Sequence, residues 1–203
     1  MDIFISSRNP DKIKEIKKVL RHLPVKLYTV NDFPALPEVE EDSPTLLGNA
    51  LKKAKAIAAK TKMATISDDT GLFVDALNGN PGVKSARYAG DSCSYADNVK
   101  KLLSEMKNKQ DRKARFITVA VLFLPNGEYA YTEGVLEGLI TIREVGSKGF
   151  GYDPVFLIPS TNKTLAEMTM EEKNLISHRG KAFRNLAQEI KHLFTNTETA
   201  TNS

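Results

Sequence analysis

The sequence holds a single cysteine, Cys93, which excludes an intrachain disulfide and any metal cluster built from cysteines. No apolar run is long enough to span a membrane, and the first residues read as a strand rather than a signal peptide. The expected setting is therefore cytosolic, with no membrane partner. Neither a G-x-x-x-x-G-K-[ST] phosphate loop nor a G-x-G-x-x-G ahead of a helix is present, and no internal repeat is found. Dense basic runs are absent too. The net charge is only +4 and the lysines are spread over helix faces, which favours small anionic ligands over a dedicated nucleic-acid groove. What remains is an ordinary globular composition, 41% hydrophobic and 27% charged over 203 residues. That is enough for a full core in one domain, or in one domain of two lobes.

Ser147-Lys-Gly-Phe-Gly-Tyr-Asp-Pro154 is the most distinctive stretch. Gly149 and Gly151 allow backbone to approach a ligand closely, and Phe150 and Tyr152 offer flat faces for a flat ligand. The competing reading is a hairpin corner whose aromatics fill core. Val155 to Ile158 reads as the buried strand that follows.

The chain opens with a strand, Asp2 to Ser6. Asn9-Pro10 then starts a helix, since Asn is a favoured N-cap and Pro a favoured first helical residue. Ile13, Ile16, Leu20 and Leu23 form its apolar stripe. Strand, polar loop and helix N-terminus together make an anion site in α/β folds. Lys12, in the first turn, is badly placed for the helix dipole; it is either a ligand residue or a solvated lysine. Lys26 to Val30 is a second strand. The acidic loop Glu38 to Asp42 precedes a helix over 45–60 and either complements its dipole or supplies a metal ligand.

Ala64 to Ser67 reads as a short strand running into Asp68-Asp69-Thr70-Gly71. Adjacent strand residues face opposite ways, so both aspartates serve one site only if the strand ends here and Gly71 turns the chain. Two neighbouring carboxylates suit Mg²⁺; the alternative is an Asp turn closed by Gly71. A further strand is expected over 72–77 and a helix over 95–106. Phe116 to Leu124 and Tyr129 to Arg143 should form a long hairpin about Pro125-Asn126-Gly127, the spine of two lobes. Thr169-Met-Glu-Glu172 is a capping box. A last helix, Lys181 to Phe194, should bury Phe183, Leu186, Ile190 and Leu193 or Phe194. A polar tail follows over 195–203.

Ser7-x-Asn9-x-x-Lys12, Ser67-Asp-Asp-Thr-Gly71, Pro81-Gly-Val-Lys-Ser-Ala-Arg-Tyr88, Gly149-Phe-Gly-Tyr-Asp-Pro154 and Ser177-His-Arg179, in this order, resemble the inosine triphosphate pyrophosphatase family. The likeness runs from Asp2 to about Leu193. It implies an α/β fold, a long twisted mixed sheet flanked by helices, with two lobes and a substrate cleft between them in one domain over 1–194. It also implies a homodimer. The implied reaction is Mg²⁺-dependent hydrolysis of ITP, dITP or XTP to the monophosphate and pyrophosphate. Relatives mostly have Thr at the Ser7 position and many have Ser at the Thr70 position, swaps that keep the hydroxyl.

By the same resemblance Ser7, Asn9, Lys12 and Lys173 would hold phosphates, and Thr70 would contact substrate. Glu41 and Asp69 would bind Mg²⁺, with Asp69 as base and Asp68 in support. Phe150 would stack on the purine; Gly151, Tyr152 and Asp153 would line the pocket. His178 and Arg179 would read the base edge. A donor such as Arg179 suits the O6 acceptor of hypoxanthine or xanthine and meets adenine's amino group badly. The alternatives are a Maf-type nucleotide pyrophosphatase for modified pyrimidines, or a nucleotide- or RNA-binding module without catalysis.

Overall fold

The computed structural model describes the backbone of residues 1–200 and the side chains of residues 1–192. Eight strands form one mixed sheet: β1 (Asp2–Ser6), β2 (Lys26–Tyr28), β3 (Ala64–Val74), β4 (Pro81–Gly82), β5 (Lys113–Phe123), β6 (Tyr129–Ile140), β7 (Phe156–Ile158) and β8 (Lys163–Thr164). Their order is β2-β1-β3-β5-β6-β7-β8, with β4 on β3. β1 is parallel to both β2 and β3, whereas β4, β7 and β8 join antiparallel. The flanking helices are α1 (Pro10–Leu20), α2 (Leu46–Thr61), α3 (Tyr95–Glu105), α4 (Met170–Ile176) and α5 (His178–Ala200). The fold is α/β, as expected.

The chain divides into two compact units, passing from one to the other within β3, β5 and β6 and at the start of α5. The first holds β1, β2, α1, α2, β3 as far as Asp69, residues 118–134, and α5 from Arg179. Its core joins Ile3 and Ile5, two apart on one face of β1, to Ile16 and Leu20 of α1 and to Phe183, Leu186 and Ile190 of α5. The 3- and 4-residue spacings in α5 are those of an apolar helix stripe. The second unit holds Thr70–Ile117 and Val135–His178. Leu72, Val74, Val99, Leu102, Phe116, Leu136, Ile140 and Phe156 are in its core.

Three local expectations are corrected. The chain does not turn at Gly71: β3 is one strand that runs through Asp68, Asp69 and Gly71 to Val74. Gly71 is small for another reason. A Cβ there would lie 2.7 Å from the carbonyl oxygen of Gly82, on β4, which pairs with β3 through Leu72 and Gly82. The expected strand over 72–77 is therefore the end of β3 followed by a short 3-10 turn, Asp75–Leu77. α5 also begins before its expected start at Lys181, at His178, and passes its expected end at Phe194, being described to Ala200; the side chains of Leu193 and Phe194 lie outside the described residues. The remainder of the expected polar tail, 201–203, lies outside the described residues.

Candidate active site

The first unit carries a dense set of charges around β3. α1 starts as its sequence suggests: the Asn9 side chain accepts from Asp11 N at 2.9 Å and Lys12 N at 3.3 Å, with Pro10 in the first helical position. Such a cap contributes about 1 kcal/mol. Ser7 Oγ accepts from Asn9 N at 3.3 Å, which shapes the loop between β1 and α1. Lys12 is not a solvated lysine. Its Nζ lies 3.0 Å from Asp68 Oδ2, so a carboxylate offsets its poor placement in the helix dipole.

Arg179 joins the same carboxylate from α5. Its Nε donates to Asp68 Oδ2 at 3.4 Å and its Nη1 donates to Glu15 at 2.5 Å. Glu15, Asp68 and Arg179 are 4%, 1% and 3% exposed. Charges this deep are tolerated only when paired. The guanidinium that the resemblance implies at the base edge bonds two buried carboxylates.

Asp69, the next residue of β3, has different company. Its Oδ2 accepts from Asn49 Nδ2 at 3.0 Å, and Asn49 Oδ1 in turn accepts from Ser43 N at 2.8 Å. Asn49 thus ties the start of α2 to the strand. One helical turn on, Lys53 donates to Glu41 and, at 2.6 Å, to the main-chain carbonyl of Asp68. The two aspartates also differ in proton affinity. Burial alone pushes both up. For Asp68 the charges of Lys12, Arg179 and Lys53 outweigh burial and hold the carboxyl well below the ordinary range. For Asp69 burial prevails over Lys53, with the Glu41 carboxylate adding to it, and the carboxyl is raised.

Glu41 and Asp69 offer oxygens only, the donor set Mg²⁺ prefers. Among the described residues no group of three or more His, Cys, Asp or Glu side chains forms a ready metal cage. A pair of carboxylates with the remaining positions left to water and phosphate is how Mg²⁺ is ordinarily held, so the residues present fit that ion.

The second unit contains the glycine-aromatic loop. Phe150 N donates to Asp153 Oδ2 at 2.9 Å, closing the loop on itself. Gly149 has φ +77°, and a Cβ there would lie 2.1 Å from Asp153 Oδ2. Gly151 has φ +62° and open space where its Cβ would stand. The two aromatics divide between the competing readings. Tyr152 is core: it is buried, and its hydroxyl donates to Ser85 O at 2.8 Å. Phe150 is half-buried, with the Tyr95 ring 6.0 Å away and Lys173 Nζ 4.8 Å from its own ring centre.

The capping box at Thr169 and Glu172 is present and opens α4. It delivers Lys173 to Asp153, Nζ to Oδ2 at 2.6 Å, in a buried pair. Lys173 is therefore tied to the glycine-aromatic loop. His178 is buried, its ring stacked on Phe116 at 4.6 Å. Thr70 is half-buried on β3, the first residue of the second unit.

The model of the Ham1 family matches residues 3–189. The chain belongs to the Ham1 family. It is 47% identical over 197 residues to the dITP/XTP pyrophosphatase of Elusimicrobium minutum, a match over 94% of this chain and 100% of that protein. Among solved structures, the Ham1 protein of Coxiella burnetii superposes with a TM-score of 0.88 at 37% identity, over 95% of this chain and 99% of that one. The Staphylococcus aureus Ham1 protein gives 0.86 at 36% identity, with the same coverage. The resemblance carried by the five motifs is thus to the right family, and the Ham1 fold is shared over nearly the whole chain.

Three residues of this Ham1 chain's charge cluster escaped the sequence reading. Lys53 looks like any lysine on an exposed helix face. Glu15 sits in a lysine-rich helix and reads as its solvated side. Asn49 carried a signal only in retrospect: a polar residue on the apolar side of α2, where Ala50, Ala54, Ile57 and Ala58 are buried around it.

Proposed function

We propose that this Ham1-family chain hydrolyses the non-standard purine nucleoside triphosphates ITP, dITP and XTP to the monophosphate and pyrophosphate. In that reaction the oxygen of water bonds to phosphorus while the bridging bond between the α and β phosphates breaks, and pyrophosphate leaves with the electron pair. The observation that carries the reading is the charge arrangement on β3. Lys12 and Lys53 both reach Asp68, one through its carboxylate and one through its carbonyl, while Asp69 beside it has other partners.

Each residue then has a task. Ser7, Asn9 and Lys12 surround the N-terminus of α1, where main-chain N–H groups and positive potential suit phosphate. Glu41 and Asp69 would hold Mg²⁺, which when bound polarises the P–O bond and offsets the charge of the triphosphate. Asp69, with its raised proton affinity, is suited to take a proton from water. Asp68 stays ionised and fixes the positions of Lys12 and Arg179. Phe150 offers the purine a face, Gly151 leaves it room, and Asp153 with Lys173 holds the loop in shape. Thr70 and His178 add substrate contacts, Tyr152 backs the loop from the core, and a homodimer is part of the same proposal. No observation favours the Maf-type reading, and carboxylates beside the lysines disfavour a bare nucleic-acid binder.

Pyrophosphate release from ITP, dITP, XTP, ATP and GTP, each with and without Mg²⁺, is the test. Release from the first three that needs Mg²⁺ and far exceeds that from ATP and GTP is expected. Equal release from all five, or none from the first three, overturns the proposal.

A further inference from the structure

We propose that Lys53 is a built-in competitor for the divalent cation: its ammonium sits on Glu41 and must give that carboxylate up when the metal binds. This rests on the metal role proposed for Glu41 and Asp69. Lys53 belongs to α2, and its side chain is 12% exposed. It spends its donors on Glu41 and on the Asp68 carbonyl. It therefore neutralises one of the two carboxylates that a metal would use. Asp69 is differently placed, since it accepts from the neutral side chain of Asn49.

One carboxylate cannot serve an ammonium and a divalent ion at full strength, since the two cations repel at that range. The metal-free protein thus contains its own counter-cation, and binding of a metal includes the cost of moving it. The four-carbon stem of lysine lets the head swing while its base stays packed. Once displaced, the ammonium needs a new anion, and a triphosphate arriving with the metal offers one. Metal alone should then bind weakly.

The test is direct binding of Mn²⁺, followed by its paramagnetic resonance signal without nucleotide, to wild type, Lys53→Met, Lys53→Arg and Glu41→Gln. Removing the competing charge should tighten Mn²⁺ binding in Lys53→Met by about tenfold, the scale of one unit charge lost beside the site. Lys53→Arg keeps the charge and should stay near wild type, and Glu41→Gln should bind more weakly. A destabilised variant would lose affinity rather than gain it, so a merely structural Lys53 does not mimic the result. Lys53→Gln is measured in parallel should the methionine variant fail to fold. If neither neutral variant binds more tightly while Glu41→Gln is weakened, the competitor role is wrong and the metal site stands. If Glu41→Gln binds as wild type does, the metal reading itself falls, and the competitor role with it.

Discussion

Asp68 and Asp69 are consecutive on β3, both buried, and held in opposite ways: three cations stabilise the charge of the first, while burial opposes the charge of the second. Substituting each by Asn should separate their roles in the metal-free protein. Asp68→Asn strands buried cations and should lower stability by about 3 kcal/mol or more. Asp69→Asn removes an unfavourable charge, keeps an acceptor for Asn49, and should leave the melting temperature unchanged or higher. Turnover should nearly vanish in Asp69→Asn. Thermal melts in chelator, beside pyrophosphate release, check both halves; wild-type turnover in Asp69→Asn would dismiss it as base and metal ligand.

Lys12→Ala should raise KM for ITP and weaken inhibition by pyrophosphate, because the lysine stands in the first turn of α1 where phosphate is proposed to bind. It should also destabilise the fold, though less than Asp68→Asn, since Arg179 and Lys53 remain at Asp68. KM and the inhibition constant both staying at wild-type values would limit Lys12 to its ion pair.

Arg179 should act on catalysis through the carboxylates it holds. Its Nε and Nη1 donate to Asp68 and Glu15, groups that every triphosphate substrate would depend on alike. Arg179→Ala should therefore lower kcat/KM for ITP and for ATP by similar factors. A direct reader of O6 behaves differently: its loss relieves adenine, and the ITP-to-ATP ratio shrinks. A shrunken ratio would return Arg179 to the base edge.

The two loop glycines should respond unequally to alanine. Both have positive φ, a conformation that costs an ordinary residue roughly 1–2 kcal/mol. At Gly151 that strain is the whole effect, because the space is open. At Gly149 the new methyl also collides with Asp153, the residue that holds Phe150 N and Lys173. Gly149→Ala should lose more stability and more affinity for ITP than Gly151→Ala. Equal losses would mean that the Asp153 contact does not shape the loop.

Much of this was readable in the residues. Asn9-Pro10 announced α1, Thr169 and Glu172 announced α4, and the spacing of Phe183, Leu186 and Ile190 announced the buried face of α5. Local chemistry fixes such features, so a local reading finds them. The straight run of β3 was hidden because Asp-Asp-Thr-Gly has the composition of a turn, whereas Gly71 answers to β4, the strand that follows and folds back on β3. Lys53, Glu15 and Asn49 were hidden for a related reason. A charged residue on a helix looks solvated until the carboxylate or strand that meets it is known.

The hairpin between β5 and β6 turns on its own hydrogen bonds. Gly127 N donates to Leu124 O at 3.0 Å, Leu124 N donates to Glu128 O at 2.8 Å, and Asn126 and Glu128 bond one another. Its tip is exposed, and none of the site residues lies in it. A turn so self-contained is a natural port for added chain. A short peptide tag or a fluorophore-bearing loop placed between Asn126 and Gly127 should be carried without loss of folding, giving a handle for immobilising the protein while its nucleotide chemistry is followed.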